Sequence, residues 1–143
     1  MRKYLCIGFA IIFTFKVNAQ HYNESSQEIV NQFKKDYPHL IKVDWLKKDS
    51  LLIASYTENN IPIKKAFNLM GNLIYTQLEI DESFLPKSSY DYIARFFKTD
   101  RIAKAYKIFI NSTINYWVVV KEQNICFDID GNFIKANSLS IPH

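Results

Sequence analysis

Glycine is nearly missing from this chain, with three residues in 143. A phosphate-cradling loop needs several glycines close together, and a Gly-x-Ser-x-Gly nucleophile elbow needs two around one serine; the sequence holds neither. Histidine is as scarce: His21 and His143 lie near the termini and His39 stands alone, so no zinc-ligand cluster forms. Charge of one sign is lacking too. Of the 18 Lys+Arg, three (Arg2, Lys3, Lys16) lie in residues 1–19, which hold none of the 14 Asp+Glu. The formal charge of +4 therefore belongs mostly to that segment, and the rest of the chain is within one charge of neutrality. A near-neutral chain carries no electrostatic footprint for nucleic acid or an acidic membrane. With no nucleophile beside a base, we expect no enzyme, no cofactor and no metal.

No apolar run reaches the roughly 20 residues needed to span a bilayer. The run from Tyr4 to Phe15 is interrupted by Gly8 and Thr14 and followed by Lys16. Arg2-Lys3 precedes it, and small Val17 and Ala19 stand at −3 and −1 before Gln20, so residues 1–19 read as a cleavable signal peptide. The expected address is the periplasm or the exterior, with no membrane attachment after cleavage. Cys6 leaves with the signal, so Cys126 is the only cysteine of the mature chain and no internal disulfide is possible. It sits in the apolar stretch Asn124–Asp130 with no His or Lys beside it, which describes a buried, inert thiol. At 48% hydrophobic, the chain has enough apolar material for a core of its own.

What the sequence does have is self-similarity at a spacing of 60. Phe67, Gly71, Asn72 and Ile74 recur as Phe127, Gly131, Asn132 and Ile134, and Tyr56 falls on Tyr116. Slipped by one residue, Ile41 and Trp45 fall on Ile102 and Tyr106. The reading is two copies of one unit, 24–80 and 84–138, within a mature domain 20–143. Each begins with a helix. In the first, Ser25 or Ser26 caps and Ile29, Val30, Phe33 and Tyr37 form the apolar stripe before Pro38; in the second, Pro86 precedes Tyr90, Ile93, Phe96 and Phe97. Extended segments follow: Ile41–Trp45, Leu51–Thr57, Ile61–Leu69 and Leu73–Ile80, then Ile102–Ile110, Thr113–Lys121, Ile125–Ile129 and Phe133–Ser138. Met70-Gly71-Asn72 and Asp130-Gly131-Asn132 read as tight turns. The expected fold class is α+β: two tandem helix-plus-four-stranded antiparallel units forming one continuous sheet with the helices on one face.

Asp128-x-Asp130-Gly131 has carboxylates spaced as a calcium loop opens, but the later bidentate Glu is missing and the matching turn Asn68–Asn72 carries no carboxylate, so a plain turn is the better reading. The Lys47-Lys48 and Lys64-Lys65 pairs stand among Asp44, Asp49 and Glu58 and read as solvated surface. The remaining candidate is the sheet itself. If Tyr56 and Tyr116 face the helices, then Ile53, Ser55, Trp117 and Val119 face away, joined by Leu73, Tyr75 and Phe133. Ile53, Leu73, Tyr75, Trp117, Val119 and Phe133 are thus the expected partner-binding face, for a protein partner or a second copy of the chain. The oligomeric state stays open. A small-molecule or ion sensor, with its ligand held between the two repeats, is the alternative.

Phe33-Lys-Lys-Asp-Tyr-Pro38, Val43-Asp-Trp45, Tyr56 and Phe67-Asn-x-x-Gly71, echoed by Leu85-Pro86 and Phe127-Asp-x-Asp-Gly131, resemble the PepSY-like family of exported bacterial proteins, also described as similar to beta-lactamase-inhibitor proteins. The resemblance spans nearly all of 24–137. It implies helix-plus-sheet units whose concave sheet face grips a partner protein, and a role as inhibitor or binding module. Lys98-Thr-Asp-Arg101 departs from the pattern where the first half has its Tyr-Pro turn, and no catalytic residues carry over.

Overall fold

A computed structural model describes residues 20–99 and 101–134, with side chains from Ser25 onward. The expected signal peptide and the end of the last expected strand lie outside those residues. The elements are α1 (Gln20–Asp36), β1 (Asp44–Lys48), β2 (Leu51–Glu58), β3 (Ile61–Asn68), β4 (Leu73–Ile80), a 3-10 turn (Glu82–Phe84), α2 (Lys87–Phe97), β5 (Lys104–Ile110), β6 (Thr113–Val120), β7 (Gln123–Asp128) and β8 (Phe133–Ile134). No helix among the described residues is long and apolar enough to cross a membrane.

The expected division into two four-stranded units is overturned. The eight strands form a single open antiparallel sheet in strict chain order, β1 to β8. β4 pairs with β5 from Thr76↔Phe109 to Ile80↔Ala105, five residue pairs, as many as β3 makes with β4. The hydrogen-bonded ladder therefore has no seam at the linker. The physical reason is edge satisfaction: separate units would leave bare N–H and C=O groups along β4 and β5, and direct pairing removes both edges. The fold is one meander carrying two helices.

Both helices pack on one face of that meander. Phe33 of α1 sits 4.6 Å from Tyr37, 5.2 Å from Trp45, 5.7 Å from Tyr56 and 6.0 Å from Phe67, ring centroid to ring centroid. Ile93 of α2 is buried with Leu85, Ala105, Tyr116, Val118, Val120, Ile125 and Phe127. Three local expectations change. α1 starts at Gln20, so Ser25 and Ser26 lie inside the helix and do not cap it. β1 starts at Asp44, and Ile41, expected on the apolar face, is fully exposed; Leu40 and Val43 take its place against the Phe33 cluster. Pro86 is the N-cap of α2, one residue ahead of the first turn.

The hairpin turns use left-handed backbone with very little glycine. Asn59-Asn60, Asn111-Ser112 and Lys121-Glu122 hold consecutive positive φ values, the geometry of two-residue primed turns. Asn tolerates that region, whereas Glu122 at φ 64° bears the Cβ–carbonyl crowding in full. Glu122→Gly is expected to raise unfolding free energy by about 1 kcal/mol, read from urea denaturation; an unchanged midpoint would show that the turn relaxes at no cost.

Candidate functional site

The register fixes which side chains share the helix-free face. Residues paired across strands stand on the same side, and three rows cross the sheet. The first is Leu46, Ile53, Ala66 and Tyr75. The second is mainly polar: Asp44, Ser55, Lys64, Gln77, Ile108, Asn115 and Asp128. The third is Glu79, Tyr106, Trp117, Cys126 and Ile134. Val119, paired with Lys104 and Asn124, lies beyond it on the same side. A hydrogen-bonding stripe thus runs between two apolar rows, and among the described residues neither helix covers this face.

Four of the six expected face residues lie here: Ile53, Tyr75, Trp117 and Val119. Ile53 and Tyr75 are buried, in a cluster with Leu51, Ala66 and Ile108 that Ile74, Tyr106, Ile110 and Trp117 flank. Trp117 and Val119 are half-buried. The other two expectations need correction, because Leu73 and Phe133 lie on the helix side. A register shift at Ala66/Phe67 sets Tyr75 opposite Ala66 but Leu73 opposite Phe67, so simple alternation fails across this β-bulge. Phe133 pairs with Phe127 and stacks on Tyr92 of α2, 4.8 Å away and 6° from parallel.

Tyr106, Lys64, Gln77 and Asn115 belong to the face and escape the sequence reading. For Tyr106 the cause is the one-residue slip. Matching it to Trp45 assigns both to one side, whereas Trp45 packs under α1 and Ala105 stands at the corresponding place in the second half. Asn115 is buried, and its Nδ2 donates to Thr113 Oγ1 at 3.5 Å.

Among the described residues no group of His, Cys, Asp or Glu is placed to hold a metal. Asp128 Oδ1 accepts from the backbone N–H groups of Asp130 and Asn132, at 3.0 and 2.8 Å, and Asn68 accepts from Met70 and Asn72 in the same way. Burial works to raise the Asp128 carboxyl, but donors from Asn132, Asp130 and Gly131 outweigh it and hold the group below the usual carboxylate range. That carboxylate is committed to its turn.

Cys126 is a free, buried cysteine. Burial, opposed by a hydrogen bond with Trp117, pushes its thiol up to about 11. The folded chain keeps this proton where the unfolded chain releases it. Its contribution to stability is therefore full below about pH 9 and falls as pH climbs towards 11. Alkylation of Cys126 at pH 8 is expected only in denaturant, and rapid labelling of the native protein would contradict this placement.

Solved structures share this architecture. A DUF2874 family protein from Bacteroides ovatus superposes with a TM-score of 0.63 at 16% identity, over 79% of this chain and 84% of that one. A protein from Bacteroides eggerthii ascribed to the periplasm gives 0.61 at 15% identity, over 78% and 85%. A BLIP-like protein from Bacteroides fragilis gives 0.60 at 16% identity, over 76% and 82%. No protein-family model matches the sequence, and no curated protein matches it either. Identities this low establish a shared fold alone. The fold is BLIP-like, and the PepSY-like resemblance finds no family model behind it.

Proposed function

We propose that this chain is an exported, non-enzymatic binding module of the PepSY-like kind. It grips another exported protein on the helix-free sheet face and inhibits or modulates it. The observation that carries the reading is the row Tyr106–Trp117 beside the polar stripe Ser55, Lys64, Gln77 and Asn115, on a face neither helix covers. Aromatic anchors next to satisfiable polar groups are what a protein interface uses. The BLIP-like neighbour supports the binding role, and the periplasmic neighbour, with the leader-like residues 1–19, supports export. A small-molecule or ion sensor would need buried polar groups converging between the two halves. Among the described residues the buried polar side chains are Ser89, which lies in α2, and Asn115.

The test uses the chain from Gln20 onward as bait in an envelope extract. One captured protein, retained in stoichiometric amount by the parent and by Lys87→Glu on the helix side, is expected to be lost with Trp117→Asp and with Val119→Asp. Equal retention by all four baits sinks the sheet-face reading.

A further inference from the structure

We propose a second docking site, independent of the sheet face: the groove between α1 and the β3–β4 hairpin takes an aromatic side chain flanked by basic residues on an extended segment of a partner protein. The groove encloses about 550 Å³. Phe33, Phe67, Met70 and Leu73 are among its apolar lining, and Glu28 and Asp36 stand on its helix side. Met70 and Leu73 are 82% and 48% exposed.

The molecule itself shows what fills such a space. In the second half of the sheet, α2 and the β7–β8 hairpin meet in the same arrangement: Phe127 pairs with Phe133 as Phe67 pairs with Leu73, and Gly131 turns at φ 82° as Gly71 does at 83°. There the space is occupied. Tyr92 stacks on Phe133, meets Phe127 edge-on at 5.6 Å, and Phe127 is fully buried. Ser88 Oγ also donates to the Asp130 carbonyl, drawing helix and hairpin together. In the first half Gln32 stands sixty residues before Tyr92, and its amide donates to Asp36 Oδ1 at 2.8 Å instead of crossing the groove. A Cβ built on Gly71 would come no closer to α1 than 3.7 Å, from Ile29 Cγ1. Phe67 is left half-buried: Phe33 and Trp45 meet it at 6.0 and 6.5 Å, but position 32 supplies no ring where Tyr92 stands in the other half. The missing piece is a planar aromatic group. Glu28 and Asp36 outnumber Lys65, the one cation of the lining among the described residues, whose Nζ lies 5.3 Å over the Tyr37 ring, so the groove is net negative and favours positive charge beside the incoming aromatic.

The probe is the tripeptide Lys-Trp-Lys with blocked ends, titrated against the 15N-labelled chain from Gln20 onward. Saturable shifts are expected at the Phe67, Gly71 and Leu73 amides, with a dissociation constant at or below about 1 mM. Glu-Trp-Glu and Lys-Ala-Lys are expected to bind at least roughly tenfold more weakly. The double variant Gln32→Tyr, Leu73→Phe rebuilds the stack of the other half and is expected to abolish the shifts while raising Tm. Leu73→Lys, at an exposed position, repels the basic probe and keeps the test informative if the double variant fails to fold. Trp117→Asp is expected to leave probe binding unchanged, so this site and the sheet face fail separately. Equal binding of the acidic peptide, undiminished binding to the filled groove, or no shift at about 5 mM probe overturns the proposal. Shifts at the same amides that track protein concentration without peptide overturn it too, by naming a second copy as the occupant.

Discussion

Phe33→Ala is expected to lower unfolding free energy by about 3–5 kcal/mol, a large part of the roughly 5–15 kcal/mol that holds an ordinary domain together. Phe33 is 3% exposed and is the ring that joins α1 to three strands, through Trp45 of β1, Tyr56 of β2 and Phe67 of β3. Among the described residues, three of its four ring contacts are edge-on, with interplanar angles of 83°, 63° and 83°, an arrangement in which one ring's positive edge meets the other's negative face. Truncation removes the buried area and these contacts together, and the large neighbouring rings cannot collapse into the space. Urea denaturation measures the loss. A cost below about 1.5 kcal/mol would mean that α1 is held to the sheet by something other than this ring.

Gly131→Ala is expected to cost about 3 kcal/mol or more, and Gly71→Ala only about 1–2 kcal/mol. The two glycines have the same positive φ and therefore the same backbone strain on gaining a Cβ. What differs is the helix above them. Over Gly71 the nearest atom to a new Cβ is Ile29 Cγ1 at 3.7 Å, an ordinary contact. At Gly131 the new atom would collide with Ser88 Oγ and would lie 2.7 Å from Pro86 Cβ and 2.8 Å from Ser89 Oγ. Ser89 is fully buried and its hydroxyl finds no partner there, so it has little freedom to yield. Parallel denaturation of the two variants reads the difference directly. Equal losses would show that backbone strain alone sets the cost, and that helix and hairpin are not in close contact at Gly131.

The same contrast explains how much of the structure is legible in the sequence. The extents read for Leu51–Thr57 and Leu73–Ile80 agree closely with β2 and β4, because short apolar and β-branched runs bounded by turn residues mark strands. The two glycine turns are legible because glycine adopts their φ of 83° and 82° without strain. Parity counted from Tyr56 and Tyr116 places Ile53, Trp117 and Val119 opposite the helices, as the register does, because successive side chains of a strand point to opposite faces. Leu73 is misplaced because a β-bulge adds one residue to one strand and leaves no mark in hydrophobicity. Phe133 is misplaced because its partner, Tyr92, comes from a helix and stands 41 residues earlier. That the two stretches merge into one eight-stranded unit, rather than standing as two four-stranded ones, is hidden as well. Repetition shows that two stretches are alike, but the β4–β5 ladder rests on backbone groups, which every residue but proline supplies in full. The groove under α1 is the least legible feature, since it exists through what Gln32 and Leu73 fail to fill.

Strand order has a consequence for how this chain acquires its structure. Because β1 to β8 lie side by side in the order they are made, no strand waits for a distant stretch before it can pair. A chain emerging N-terminus first, from a ribosome or through a membrane pore, can add each strand to the one already outside. Each addition closes a short loop, except where α2 lies between β4 and β5. The growing edge is always the newest strand, so a stalled chain would present one vulnerable edge there and a finished, helix-backed sheet behind it.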